Sequence, residues 1–257
     1  MSQQPSRLSR LQPRAPHLET AAATHLTFAA AGSGVTAAGI APEAALMSGF
    51  HELFAAAPGD EAVTTALVLS MAQRAAAGQS LCYCSLASAV QEHGALYGHG
   101  LAALGLAPDC LLMVTASKEK ELLWTLEEAA ISGAFGAVIG ALGVKERIYG
   151  FGASRRLKLR VASGGTPLFL IRHWSAEGAT AARGRWRVSA RPSRPEGERA
   201  GFQLLGPARL QLELDRMGGV PPQHWEMVFD AARGFHMAPL VENGPDRETG
   251  QGRHWAA

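Results

Sequence analysis

Residues 51–77 read HELFAAAPGDEAVTTALVLSMAQRAAA, and the reading of this stretch decides the fold class. The apolar run 51–57 is predicted as a strand. Pro58, Gly59 and Asp60 break it, and 60–77 then carries apolar residues at helical spacing. The alternation recurs downstream: a strand over 81–86, a helix near 99–104 after a polar stretch, and a strand over 111–115. A helix over 118–132, a strand over 137–142, a basic helix over 154–162 and a strand over 167–171 follow. Strands separated by helices imply βαβ units, so an α/β fold with a mainly parallel sheet flanked by helices is expected. In helix 118–132, Ser117 is the expected cap, while Leu123, Leu126 and Ala130 should face the core. Trp124 should pack that helix against the sheet. Beyond Arg172 the helices stop. Residues 186–190, 202–205, 210–214 and 225–229 read as strands, and 191–201, rich in Pro, Arg and Glu, as a loop. A small antiparallel C-terminal extension on the parallel core accounts for them. The organisation is then an N-terminal arm (1–28), a core (29–190), the β extension (191–232) and a polar tail (233–257).

Composition narrows the class. The chain has 257 residues, 47% apolar and 18% charged, enough to bury a large core and too apolar for a wholly disordered protein. The alanine-rich stretches are interrupted by Gly, Pro, His and Glu, so no membrane-spanning helix is expected. The first fourteen residues lack an apolar core and do not read as a secretory signal. Three cysteines give no disulfide framework, and a cytoplasmic location is the expectation. The formal charge is only +2, but it is unevenly spread. Residues 30–144 carry 3 basic and 10 acidic side chains, whereas 145–216 carry 15 basic and 6 acidic. A basic second half suits an anionic partner, either nucleic acid or an acidic protein face. The candidate contact residues are Arg155, Arg156, Lys158 and Arg160 on the basic helix, with Arg183, Arg185 and Arg187 further on. Leu157 and Val161 should anchor that helix while its cations project outward.

Several motifs carry little chemistry. Gly32-Ser33-Gly34-Val35-Thr36-Ala37 matches a dinucleotide fingerprint on paper, but Gly39 and Pro42 interrupt the helix it should open. Cys82 and Cys84 share one face of a strand and read as core. No metal-ligand spacing and no catalytic carboxylate pair stands out, so neither metal nor cofactor is expected. The informative place is the loop after the first strand. A phosphate-binding loop needs glycines, so that backbone amides can wrap the phosphates, and a Lys to reach the outer ones. Around Gly59 this chain has Ala57 and Ala62 at two glycine positions and Val63 at the Lys position. Thr64 alone retains the magnesium-coordinating position. Asp60 and Glu61 bring negative charge to where phosphate would sit.

The ordered series GFHEL (49–53), GLAALGL (100–106), LWTLEEA (123–129), ASRRL (153–157), GTP (165–167) and RWRV (185–188) resembles RecA-type recombinases. It is more similar to their non-catalytic relatives, the ImuA proteins of damage-inducible mutagenesis. The resemblance covers roughly 45–195 and implies a RecA-like core with a degenerate phosphate loop. It implies an accessory, non-enzymatic role in SOS-induced translesion synthesis. The implied partners are an ImuB-like Y-family polymerase homologue, RecA and, indirectly, an error-prone replicative-type polymerase, with at most weak DNA binding. A nucleoid association after DNA damage would go with that role. Gly140 and Ala141 stand where a recombinase strand would end in a magnesium-organising Asp, so the resemblance does not extend to hydrolysis. A working ATPase and a cell-division inhibitor are the rival readings.

Overall fold

A computed structural model describes residues 41–144, 147–194, 198–199 and 202–238. The N-terminal arm, the glycine pattern at 32–37 and the tail beyond 238 lie outside them. Strands β1 (Phe50–Ala55), β2 (Leu81–Leu86), β3 (Leu111–Ala116), β4 (Ala137–Ala141), β5 (Leu168–Arg172) and β6 (Gly184–Arg191) form a parallel array in the order β6-β1-β5-β4-β2-β3. Four of them, β1, β2, β4 and β5, are short and buried throughout, as the centre of a sheet covered on both faces requires, while β3 at the edge is largely exposed.

Helices α1 (Pro42–Ala45), α2 (Glu61–Ala76), α3 (Ala87–His93), α4 (Gly98–Ala103), α5 (Glu119–Ile131) and α6 (Phe151–Gly164) complete the described α elements. The side chains of α2 meet Leu53, Ile139, Phe169 and Trp186 on one sheet face. On the other face α5 and α6 cover Phe50, Val138, Leu168 and Leu170. Gly140 sits where a methyl group would come within 2.6 Å of Leu126 and 2.8 Å of Leu170, so α5 can lie close on β4 only over glycine. The expected α/β architecture is therefore present, with parallel strands flanked by helices.

Antiparallel strands extend this same sheet. β9 (Arg209–Met217) pairs with β6, β10 (Gln223–Asp230) with β9, and β11 (Gly234–Met237) with β10. Leu210, Leu212 and Leu214 alternate inward and are buried against the α2 side of the core, where Trp225 and Phe229 also pack.

Several local expectations change. Residues 234–237, assigned by sequence to the tail, form β11 and bury Phe235. Within the expected loop 191–201, Glu198–Arg199 (β7) pairs with Phe202–Gln203 (β8). The polar stretch before α4 contains α3, whose few apolar residues gave no periodic signal. The cap position of α5 is Lys118, not Ser117. The Glu121 carboxylate reaches back to accept from the amides of Ser117 and Lys118. Trp124 does not pack against the sheet. It lies about 200° around the helix from Leu126 and is 65% exposed.

Candidate functional site

The loop between β1 and α2 is closed by its own side chains. Asp60 is the N-cap residue of α2, yet its carboxylate turns away from the first helical amides. One oxygen accepts from the amide of Ala57 at 3.1 Å and the other from the amide of Ala190, on β6, at 2.9 Å. The Glu61 carboxylate accepts from the amide of Gly59 at 2.7 Å. Gly59 has φ +96°, the conformation that lets so tight a turn form. Backbone amides that would face an anion at such a loop are thus held by the chain's own carboxylates. Thr64 is fully buried, and its hydroxyl donates back to the carbonyl of Asp60 at 2.7 Å. Val63, half-buried on α2, packs on the core.

Beside this loop, a cleft of about 650 Å³ opens at the C-terminal ends of the parallel strands. Its walls are Glu61, Ala62 and Thr65 of α2, the strand residues Tyr83, Thr115 and Ile171, and the segment from Val90 to Tyr97. The size suits a small molecule or a peptide side chain, and most of the lining is apolar. Glu61 is the charge nearest the loop. Arg172 and His173 also border the cleft, but Arg172 is committed elsewhere.

That commitment is a buried charge cluster on the opposite sheet face. Glu52, fully buried on β1, faces Arg172 Nη1 at 3.4 Å and Arg185 Nε at 3.5 Å. Thr180 donates its hydroxyl to the same carboxylate at 2.9 Å, and the Tyr149 hydroxyl donates to the other oxygen. Both guanidinium groups lie over the Phe54 ring, at 4.9 and 4.8 Å. They also fasten the connection between β5 and β6. Arg172 donates to the carbonyl of Glu177, Arg185 to that of Gly178, and Arg216 of β9 to that of Thr180. A carboxylate with two arginines below 20% exposure can persist because two cations and two hydroxyl donors surround the carboxylate, although Arg185 Nε, 3.5 Å from it, makes no hydrogen bond among the described residues. Sequence reading missed this cluster, since its members are up to 133 positions apart. The β1 register, which sets Glu52 beside Arg185 and Phe54 beside Arg172, is what assembles it.

On the α2 side of β1, His51 is buried against Trp186. The indole N–H donates to His51 Nδ1 at 3.2 Å, and Nε2 meets the carbonyl of Ser48 at 2.9 Å. The neutral ring with its proton on Nε2 satisfies both bonds. Burial pushes the imidazole down to about 4, and the nearby Arg183 cation acts in the same direction.

The fold divides the predicted cationic residues. Leu157 and Val161 anchor α6 as expected, and Arg155, Arg156, Lys158 and Arg160 are exposed. Arg156 pairs with Glu127 of α5 at 3.0 Å, and Arg160 approaches the same carboxylate at 3.9 Å. Arg155 and Lys158 pair with no carboxylate among the described residues. Arg183 is exposed and donates to the carbonyl and hydroxyl of Ser48. Arg187 pairs with Asp215 at 3.0 Å, and Arg185 belongs to the Glu52 cluster. The helix and strand cations therefore do not act as one array.

No family model matches the chain. It is similar to protein ImuA of Caulobacter vibrioides, 28% identical over 219 residues, covering 79% of this chain and 84% of that protein, in both strains NA1000 / CB15N and CB 15. Among solved structures, similarity extends to the RadB recombinase, with TM-score 0.48 and 13% identity over 74% of this chain and 91% of that one. SulA from Pseudomonas aeruginosa gives TM-score 0.36 and 19% identity over 48% of this chain and 97% of that one.

Proposed function

We propose that this chain is an accessory protein of damage-induced mutagenesis that works by contact and not by catalysis. The observation that carries the reading is the similarity to protein ImuA along 79% of the chain. In this reading the protein joins an ImuB-like Y-family polymerase homologue and RecA during SOS-induced translesion synthesis, in the cytoplasm and at the nucleoid. An error-prone replicative-type polymerase is served indirectly. Among the described residues no helix is long and apolar enough to cross a membrane.

The closed loop supports contact over chemistry. A P-loop Lys supplies charge-assisted bonds worth about 1.5–3 kcal/mol each, and Val63 can make none. Asp60 and Glu61 repel a polyphosphate and already hold the amides of Ala57 and Gly59. The α2 dipole alone adds about 0.3–1 kcal/mol for an anion. The C-terminal end of β4 is Gly140-Ala141, with no carboxylate to organise magnesium.

Two measurements test the proposal. Deleting the gene should lower the mutation frequency induced by DNA damage while leaving spontaneous mutation unchanged; an unaltered induced frequency would remove the mutagenesis role. Titration of the purified chain with labelled ATP, with and without magnesium and single-stranded DNA, should show no micromolar binding. Turnover that survives removal of contaminating ATPases would restore the ATPase reading.

A further inference from the structure

A role by contact leaves the cleft of about 650 Å³ at the C-terminal ends of the parallel strands without an occupant. The space arises from residue size. On the sheet, register aligns Ala141, Ser85 and Thr115 in one row across β4, β2 and β3, and all three are small. Opposite them α2 presents Ala62, Thr65, Ala66 and Leu69, which fall on one helical stripe because they are three or four apart. The segment from Val90 to Leu104, which holds α4, forms the third wall.

Two groups in this mainly apolar space lack what burial normally demands. Tyr83 is 7% exposed and Ser85 4%, both on the α2 face of β2, and neither hydroxyl has a hydrogen-bond partner among the described residues. Buried hydroxyls are nearly always paired, so two left open onto one cleft point to a ligand that supplies the partner. Burial, with Cys84 nearby, pushes the Tyr83 phenol up to about 12, which keeps it a donor at neutral pH. Water can meet these hydroxyls, but it gains nothing from Leu69, Leu101, Met113 and Ile171 around them.

Charge narrows the class. From 75 to 117 the chain has no Lys or Arg, and its acids there are Glu92 and Asp109. Among the described residues Glu61 is the one carboxylate lining the cleft, and the one guanidinium, that of Arg172, meets Glu52 on the opposite sheet face. The imidazoles of His93 and His173, 6.5 Å apart, also line it. No Lys or Arg is therefore free to match a phosphate or carboxylate, and the amides of Ala57 and Gly59 are already taken.

We propose that this cleft binds a small uncharged aromatic molecule through a carbonyl or similar acceptor that receives the hydroxyls of Tyr83 and Ser85. Its rings lie between the α2 stripe and Met113, and Tyr97, 70% exposed, borders the mouth. The site does not depend on the accessory role, since it rests on the cleft alone.

The probe is prodan, a neutral naphthalene ketone whose emission reports burial and hydrogen bonding, titrated into the full chain at about pH 8, above the ordinary range of imidazole. Anilinonaphthalene sulfonate, an anion on the same ring pair, is the comparison. Prodan should bind saturably, one per chain, and about tenfold or more tightly than the sulfonate. Tyr83→Phe with Ser85→Ala should weaken prodan by about tenfold and shift its bound emission to the blue. The thermal midpoint should hold, because neither hydroxyl ties one element to another. Thr115→Trp, which fills the space from an exposed strand position, should abolish binding. Absence of saturable binding, equal affinity for the sulfonate, or a double variant that binds like the parent chain would overturn the proposal. So would unaltered binding by a folded Thr115→Trp chain, since the probe would then sit elsewhere. If Thr115→Trp does not fold, the double variant decides.

Discussion

Two groups of cationic side chains drawn from one basic stretch have opposite fates. On β5 and β6, Arg172 and Arg185 are turned inward onto Glu52, stacked on Phe54, and used to hold the carbonyls of the β5–β6 connection. On α6, Arg155 and Lys158 stand in solvent beside Phe151 and Leu159. Local sequence does not distinguish them. RWRV and SRRLKLR are both alternations of cation and apolar residue, yet a strand buried on one face and capped by a loop on the other encloses its cations. A surface helix exposes them. Net basic charge over 145–216 is accordingly a poor measure of anion-binding surface in this protein.

The largest expected effect breaks the inward group. Glu52→Gln should destabilise the fold by about 3–5 kcal/mol in urea unfolding, because it leaves guanidinium charge buried without its carboxylate. Replacing Glu52, Arg172 and Arg185 together by Leu, Met and Met should recover much of that loss, because no guanidinium is then left without its carboxylate. If Glu52→Gln costs under about 1 kcal/mol, water reaches the cluster and the arginines are not enclosed.

Next comes His51, which shares β1 with Glu52 but faces the other way. Its folded value of about 4 lies below the ordinary 6.5 of an unfolded chain, so the unfolded state binds the extra proton. The contribution is complete above about pH 6.5 and is lost as pH falls toward 4, amounting to about 3 kcal/mol at most. His51→Gln keeps an acceptor for Trp186 and a donor for Ser48, and should flatten the acid limb of stability between those values. An unchanged limb would assign it to other groups.

Asp60→Ala should cost about 1–2 kcal/mol, since it frees the amides of Ala57 and Ala190 together and unties the loop from β6. Hydrogen exchange at Ala57 and Ala190 should quicken. ATP affinity should stay undetectable in the Asp60→Ala, Glu61→Ala double variant, because Val63 still supplies no cation.

The smallest expected effect concerns the outward group. Arg155→Glu with Lys158→Glu should change unfolding free energy by no more than about 0.5 kcal/mol, as exposed sites do. A large loss would mean that these cations, like Arg172 and Arg185, support the fold.

Sequence by itself determined most of the alternation of strands and helices from β1 to β5, though not α3 or the parallel pairing of β6, because periods of 3.6 and 2 are written locally in apolar residues such as Leu123, Leu126, Leu157 and Val161. It also determined that the β1–α2 loop has Ala57, Ala62 and Val63 at positions where a phosphate loop needs glycines and a cation. Only the tertiary structure decided what fills that loop, since the partner of Asp60 is an amide 130 residues away on β6. Tertiary structure alone made Glu52 a buried counter-ion, turned Trp124 to solvent and carried the sheet on to Met237. Each of these depends on which distant segments the register brings together. A side chain's charge and size are readable in the chain, but its neighbour and its exposure are properties of the packing.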